Sequence, residues 1–92
     1  MNTKINYYIV GIADNLRDMS FISNVLVIAK DEDELNEKIN DVCASWYSED
    51  EPVDADEDGV YEQSNGIWTS CEGYKEILES TYNDLRHFLA VV

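Results

Sequence analysis

Basic residues are scarce in this sequence, and their scarcity is the first constraint on what the chain binds. Six Lys and Arg stand against 20 Asp and Glu, which gives a net charge of −14. Duplex nucleic acid and anionic membranes carry negative charge of their own, so we expect neither to be a partner. Positively charged proteins or divalent cations are the partners that this charge favours.

Long apolar runs are also missing. No stretch approaches the length of a membrane span, and the first residues lack the basic-then-apolar layout of a signal peptide. These absences predict a cytoplasmic protein. The two cysteines, Cys43 and Cys71, form no CxxC pair, so we expect two small core residues rather than a disulfide framework or a zinc site.

Catalytic motifs are absent as well. The sequence contains no nucleophile-elbow, phosphate-loop or metalloprotease pattern. Its one histidine, His87, lies between Arg86 and Phe88, where we expect a surface position. Carboxylates are abundant, but an acid/base pair requires one desolvated member, and these acids lie in polar segments. We therefore expect neither an enzyme nor a bound cofactor.

What the sequence does contain predicts one α+β domain spanning residues 1–92, since a chain of this length supports a single core. Runs rich in β-branched and aromatic residues predict strands at 5–13, 21–29, 60–63 and 67–69, with Asn65-Gly66 as a tight hairpin turn. Helical spacing predicts helices from Asp31 and from about residue 73 to the end. The expected fold is ββαββα, a four-stranded, largely antiparallel sheet with two helices on one face.

The first predicted helix has a clear beginning and a clear apolar stripe. Asp31 can cap it, and Glu34 stands three positions later as in a capping box. A buried stripe is then predicted at helical spacing, formed by Leu35, Ile39, Val42 and Trp46.

Fourteen of the 20 acidic residues lie between Asp31 and Glu62, where Lys38 is the only base. At about 100° per residue, Asp33 and Glu37 point away from the apolar stripe, whereas Glu34 and Asp41 flank it. The segment 48–58 adds an acidic loop. The residues that we expect to present this charge to a partner are Asp33, Glu34, Glu37, Asp41, Glu49, Asp50, Glu51, Asp54, Asp56, Glu57 and Asp58.

This charge distribution suggests a function that needs no catalysis. Duplex DNA presents one negative charge per about 1.7 Å of its axis. A helix with carboxylates on every turn, extended by an acidic loop, offers a similar row to the Lys and Arg of a DNA-binding cleft. We expect such a chain to compete with DNA for that cleft.

Other interpretations stay open. The segment from Asp54 to Gly59 matches the first half of a calcium-loop signature, D-x-[DN]-x-[DN]-G, although Asn65 stands where the closing Glu is required. An immunity-type inhibitor would instead depend on an aromatic anchor such as Trp46, Tyr47 or Trp68. A domain with a merely acidic surface would have no tight partner.

The acidic runs 31–34, 49–51 and 54–58, together with Glu37 and Asp41, resemble those of small acidic phage-encoded DNA-mimic inhibitors, of which the Arn-like anti-restriction proteins of T-even phages are the closest in style. The resemblance covers about a third of the chain and rests on no shared motif. It implies a protein of the bacterial host cytoplasm that occupies the DNA site of a restriction nuclease or a nucleoid protein, often as a homodimer. An inhibitor of CRISPR effectors would have the same features.

Overall fold

The structure, a computed structural model, describes residues 4–16, 18–47, 53–64 and 67–92. The elements are β1 (Asn6–Leu16), β2 (Met19–Ala29), α1 (Glu32–Ala44), β3 (Tyr61–Ser64), β4 (Ile67–Ile77), α2 (Glu79–Leu85) and β5 (Ala90–Val91). The predicted α+β class is confirmed. Among the described residues, no helix is long and apolar enough to cross a membrane.

The strands form one sheet in the order β3-β4-β1-β2-β5. β1 pairs antiparallel with β2 on one side and with β4 on the other, and β3 pairs antiparallel with β4. β5 pairs parallel with β2. The sheet is therefore five-stranded and mixed, whereas the sequence predicted four largely antiparallel strands.

The two helices cover opposite faces of this sheet, so the expectation that both pack on one face is wrong. Side chains of a strand alternate between faces. Tyr8, Val10 and Ile12 of β1 are buried in the core that α1 covers. Tyr7 lies on the other face, where its ring packs against Tyr82 of α2 with centroids 4.7 Å apart.

The predicted helix from residue 73 to the end is also wrong over most of its length. β4 continues to Ile77, which pairs with Tyr7, and α2 has only seven residues. The apolar spacing near Tyr74 and Ile77 fits a helix, but β1 needs a hydrogen-bonding partner on its second side, and this tertiary pairing overrides the local pattern.

Helix α1 begins as its sequence predicts. The Asp31 side chain accepts a hydrogen bond from the Glu34 backbone N–H at 2.8 Å, which confirms the cap. Leu35, Ile39 and Cys43 are buried against the sheet. Val42 and Trp46, the other predicted stripe residues, are partly buried and pack against the same core.

The two cysteines differ in environment. Cys43 is fully buried, as predicted, and burial raises the pKa of its thiol to about 12. Cys71 is exposed, so its assignment to the core is wrong. It lies on β4 next to a register shift, where β1 moves from pairing with Gly73 to pairing with Cys71. The predicted Asn65-Gly66 turn lies outside the described residues.

The cap gives a testable prediction. Replacing Asp31 with Ala removes the acceptor for the Glu34 N–H, and we expect a loss of about 1 kcal/mol in the free energy of unfolding. Asp33→Ala removes an equal charge from the same turn without touching the cap. In urea unfolding, the Asp33 variant should lose less stability than the Asp31 variant. Equal losses would mean that the N-terminal charge, and not the cap, matters.

Candidate functional site

One face of α1 presents a row of three carboxylates to solvent. Asp33, Glu37 and Asp41 recur at every fourth position and are all exposed. Four helical residues rise by about 6 Å, so the three side chains follow one line along the helix. We call these three residues the outward row. Like charges at this spacing repel by about 0.2–0.5 kcal/mol per pair, so the row lowers the stability of the helix that carries it.

The nearby lysines lie away from the outward row. Lys38 Nζ donates to the Ile28 carbonyl of β2 at 2.7 Å and lies 3.6 Å from a Glu34 carboxylate oxygen. Lys30 Nζ lies 4.0 Å from the other oxygen of Glu34. Glu34 therefore has two cations beside it, unlike the outward row, and its charge is less accessible to a partner. In the described part of the chain, no ion pair involves the outward row.

The row continues from the helix to the loop through Tyr61. The Tyr61 hydroxyl donates to the Asn40 side chain at 3.1 Å, which ties β3 to α1. Burial raises the pKa of this hydroxyl, and the charges of Asp41 and Asp54 raise it further. Both carboxylates therefore lie near the same phenol. The Val53 N–H also donates to the Ala44 carbonyl at 3.0 Å, so the acidic segment begins beside the end of α1.

The acidic segment after Asp54 is a tight hairpin. The Asp56 backbone donates to Val60, the Gly59 backbone donates to Asp56, and Ala55 bridges to Tyr61. Gly59 has φ of +76°, as a three-residue hairpin loop with a glycine bulge requires. The hairpin leaves the side chains of Asp54, Glu57 and Asp58 exposed. We call 54–58 the acidic hairpin.

Asp56 has a structural role in this hairpin. Its carboxylate oxygen Oδ1 accepts hydrogen bonds from the backbone N–H groups of Asp58 at 2.8 Å and Val60 at 3.0 Å. Turn geometry therefore explains Asp56 and Gly59 of the calcium-like signature. Among the described residues, no three His, Cys, Asp or Glu side chains are grouped to hold a metal ion.

Eight of the residues predicted to present charge are described. Seven of them are exposed, namely the outward row and the acidic hairpin residues Asp54, Asp56, Glu57 and Asp58. The eighth, Glu34, is half-buried and lies beside two lysines. Glu49, Asp50 and Glu51 lie outside the described residues.

A buried carboxylate just beyond the first predicted strand, 5–13, holds the end of α1 in place. Asp14 is 1% exposed and accepts hydrogen bonds from Trp46 Nε1 at 3.1 Å and from the Tyr47 hydroxyl at 2.9 Å. Partial burial raises the pKa of Tyr47, and its bond to Asp14 raises it further. Asp14 continues the two-residue alternation of the buried Val10 and Ile12, which is the signal that could have identified it.

The candidate aromatic anchors do not form one cluster. Trp46 and Tyr47 meet at Asp14, on the face of the sheet that α1 covers. Trp68 precedes Thr69, which is fully buried and pairs with Asp14, so Trp68 points to the opposite face. Tyr47 and Trp68 therefore lie on opposite faces of the sheet.

Removing the Asp14 carboxylate tests whether its hydrogen bonds to Trp46 and Tyr47 stabilise the fold. Asp14→Ala leaves the Trp46 and Tyr47 donors without an acceptor, and we expect a loss of about 2 kcal/mol in unfolding free energy with a change in tryptophan fluorescence. Asp18→Ala removes an exposed carboxylate from the same end of the sheet and should change stability by less than about 0.5 kcal/mol. An Asp14 variant as stable as the Asp18 variant would contradict the assigned role.

The acidic hairpin yields a second prediction. Asp56→Ala removes two hydrogen bonds, and we expect a loss of about 1 kcal/mol that is the same with calcium and with chelator. Glu57→Ala, one residue away, should have little effect. If calcium raises the thermal midpoint of the unaltered chain and both Asp54→Ala and Asp56→Ala abolish the increase, the loop is a calcium site after all.

Comparisons with known proteins do not assign this site. No protein-family model, no curated protein and no solved structure matches the chain. The arrangement of charge in the structure is therefore the basis for assigning a function.

Proposed function

We propose that this protein is a DNA-mimic inhibitor that occupies the DNA-binding site of a positively charged protein, such as a restriction nuclease. The observation that carries the proposal is the continuity of the outward row with the acidic hairpin. The Tyr61 hydroxyl donates to Asn40, the neighbour of Asp41, and the Val53 N–H, next to Asp54, donates to the Ala44 carbonyl at the end of α1. A partner therefore meets one surface of negative charge.

The positions of the lysines near α1 favour this proposal over the alternative that the acidic residues serve only solubility. An acidic surface that serves only solubility needs no particular order. Here both lysines near α1 are beside Glu34, and Lys38 is also bonded to the Ile28 carbonyl. In the described ranges no salt bridge includes a residue of the outward row, although the repulsion within the row costs stability. A basic partner would relieve that repulsion on binding.

The proposed interaction is electrostatic and distributed. An exposed ion pair contributes about 0.2–1 kcal/mol, so tight binding requires many pairs acting together. Such binding weakens as salt shortens the screening length, which is about 10 Å at 0.1 M. No single carboxylate is expected to dominate.

Charge reversal with a matched control tests the proposal. The triple variant Asp33→Lys, Glu37→Lys and Asp41→Lys should raise the dissociation constant for a captured target at least about tenfold, since three ion pairs are replaced by repulsions. The control, Glu72→Lys, Glu76→Lys and Glu79→Lys, changes the net charge equally at exposed positions on β4 and α2. Targets are captured from bacterial lysate at low salt and released with duplex DNA.

The outcomes separate the alternatives. Release by duplex DNA, with loss of binding in the first triple variant and not in the control, supports the mimic. Equal loss in both triple variants would show that only net charge matters and would contradict a defined site. A target that duplex DNA cannot displace, and that Tyr47→Ala releases, would indicate an immunity-type inhibitor anchored by an aromatic residue.

A further inference from the structure

A buried carboxylate lies at one end of the sheet with only neutral groups bonded to it. Asp14 is 1% exposed, and its two oxygens accept from Trp46 Nε1 and from the Tyr47 hydroxyl. In the described ranges, both salt bridges involve Glu34 and neither involves Asp14. A buried charge is usually paired with an opposite one. A cation that a partner brings close to Asp14 would therefore be stabilised there.

Exposed aromatic surface adjoins this carboxylate. Phe21 of β2 lies directly opposite Asp14 of β1, so the two side chains share the face that α1 covers. Phe21 is 47% exposed, and Tyr47 is 50% exposed. Within the described residues, neither ring stacks on another aromatic side chain. We call Phe21, Trp46 and Tyr47 the aromatic patch, and its exposed rings are available to a partner.

The aromatic patch adjoins the outward row. Asp41 is the last residue of the row, and its carbonyl accepts from the Ser45 N–H at 3.1 Å and from the Ser45 hydroxyl at 2.7 Å. Trp46 and Tyr47 follow Ser45 directly in the chain. A partner that binds along the outward row can therefore also contact the patch.

We propose that the aromatic patch binds an arginine side chain of the basic target, with the guanidinium against the exposed rings and near the Asp14 carboxylate. A guanidinium is planar and less strongly hydrated than an ammonium group, so it stacks on aromatic rings at a lower desolvation cost. The charge of Asp14 attracts the same cation and is little screened, because it is buried. Arginine and aromatic residues are also the types enriched at the centres of interfaces.

The chemistry of the patch favours arginine over two other occupants. An apolar side chain would remove water from around Asp14 without supplying a countercharge, which raises the cost of burying that carboxylate. A second copy of the chain would bring a further net charge of −14 to the same place. An arginine side chain supplies both a countercharge and a flat surface that covers the rings.

This inference rests on the proposed function for the basic nature of the target, and it adds a preference that charge alone does not give. A surface that recognises only charge binds lysine and arginine equally well. Binding that depends on salt but not on arginine would overturn the inference and leave the mimic intact. A preference for arginine in a chain whose target duplex DNA cannot displace would do the reverse.

Titration of the full chain with basic peptides tests the aromatic patch. The probes are three synthetic peptides, Lys-Gly-Lys-Gly-Xaa-Gly-Lys-Gly-Lys, with arginine, lysine or leucine at the central position. Binding is followed through the amide and indole N–H signals in NMR spectra. We expect the arginine peptide to bind about threefold more tightly than the lysine peptide, and the leucine peptide to bind most weakly. The arginine peptide should also shift the Trp46 indole signal most.

Three variants separate the ring of Tyr47 from its hydrogen bond. Tyr47→Ala removes both, and should abolish the preference for arginine while the lysine peptide still binds in a salt-dependent manner. Tyr47→Phe removes only the bond to Asp14 and should keep the preference. Phe88→Ala, the matched control, removes an aromatic side chain that is 86% exposed and should also keep it. Loss of the preference in Tyr47→Phe would mean that the fold of this region, and not the ring, is responsible.

Three results would overturn the proposal. Equal affinities for the arginine and lysine peptides would mean that the patch does not recognise a guanidinium. Tightest binding of the leucine peptide would assign the patch to an apolar side chain. A Trp46 indole signal that shifts with protein concentration, in the absence of any peptide, would assign it to a second copy of the chain.

The chain's own arginine near this end of the sheet requires a separate control. Arg17 lies outside the described residues. If the patch is free to accept a partner, Arg17→Ala should change the affinities for the arginine and lysine peptides by the same factor. A selective increase for the arginine peptide would show that Arg17 occupies the patch and would also overturn the proposal.

Discussion

The packing of Leu35, Ile39 and Cys43 of α1 on the sheet is the interaction on which the rest of the structure depends. These residues recur at every fourth position and are buried against β1 and β2. At about 100° per residue, a side chain two positions before a buried residue points to the opposite side of the helix. When these three residues face the sheet, the residues two positions before them therefore face solvent. The outward row is therefore a consequence of the core, and the apolar contacts compensate for the repulsion among its carboxylates.

The C-terminal end of α1 is held by polar contacts that act together with this core. Gln63 Nε2 and Thr69 Oγ1 both donate to the Cys43 carbonyl, at 2.7 and 3.1 Å. Asp14 accepts from the two aromatic residues that follow the helix. These bonds connect α1 to β3, β4 and β1, and they determine where the chain enters the acidic hairpin. The orientation of the acidic surface thus depends on Gln63, Thr69 and Asp14, none of which contributes to its exposed charge.

The sheet separates two surfaces of different chemistry. The edge at β3 adjoins the acidic hairpin, and the edge at β2 carries no charge and exposes apolar side chains. The strand order places these two surfaces at opposite edges of the sheet.

The errors in predicting the fold have a common physical cause. Helix α1 and its cap follow from local spacing, and they are confirmed. The segment around Tyr74 and Ile77 has helical spacing but forms β4, because β1 is an interior strand and requires pairing on both sides. The short α2 then lies on the opposite face through the contact of Tyr82 with Tyr7. Both results depend on partners far away in the sequence.

The sequence by itself determined the net charge. It also determined which side of α1 faces the core, and hence that Asp33, Glu37 and Asp41 lie on the outer side, because helical periodicity is local. It also placed Asp56 and Gly59 in a segment with turn residues. Only the tertiary structure decided that Glu34 lies between two lysines, that Asp14 is buried under Trp46 and Tyr47, and that the uncharged edge lies across the sheet from the acidic hairpin. These features arise from strand order and long-range hydrogen bonds, which local patterns do not encode.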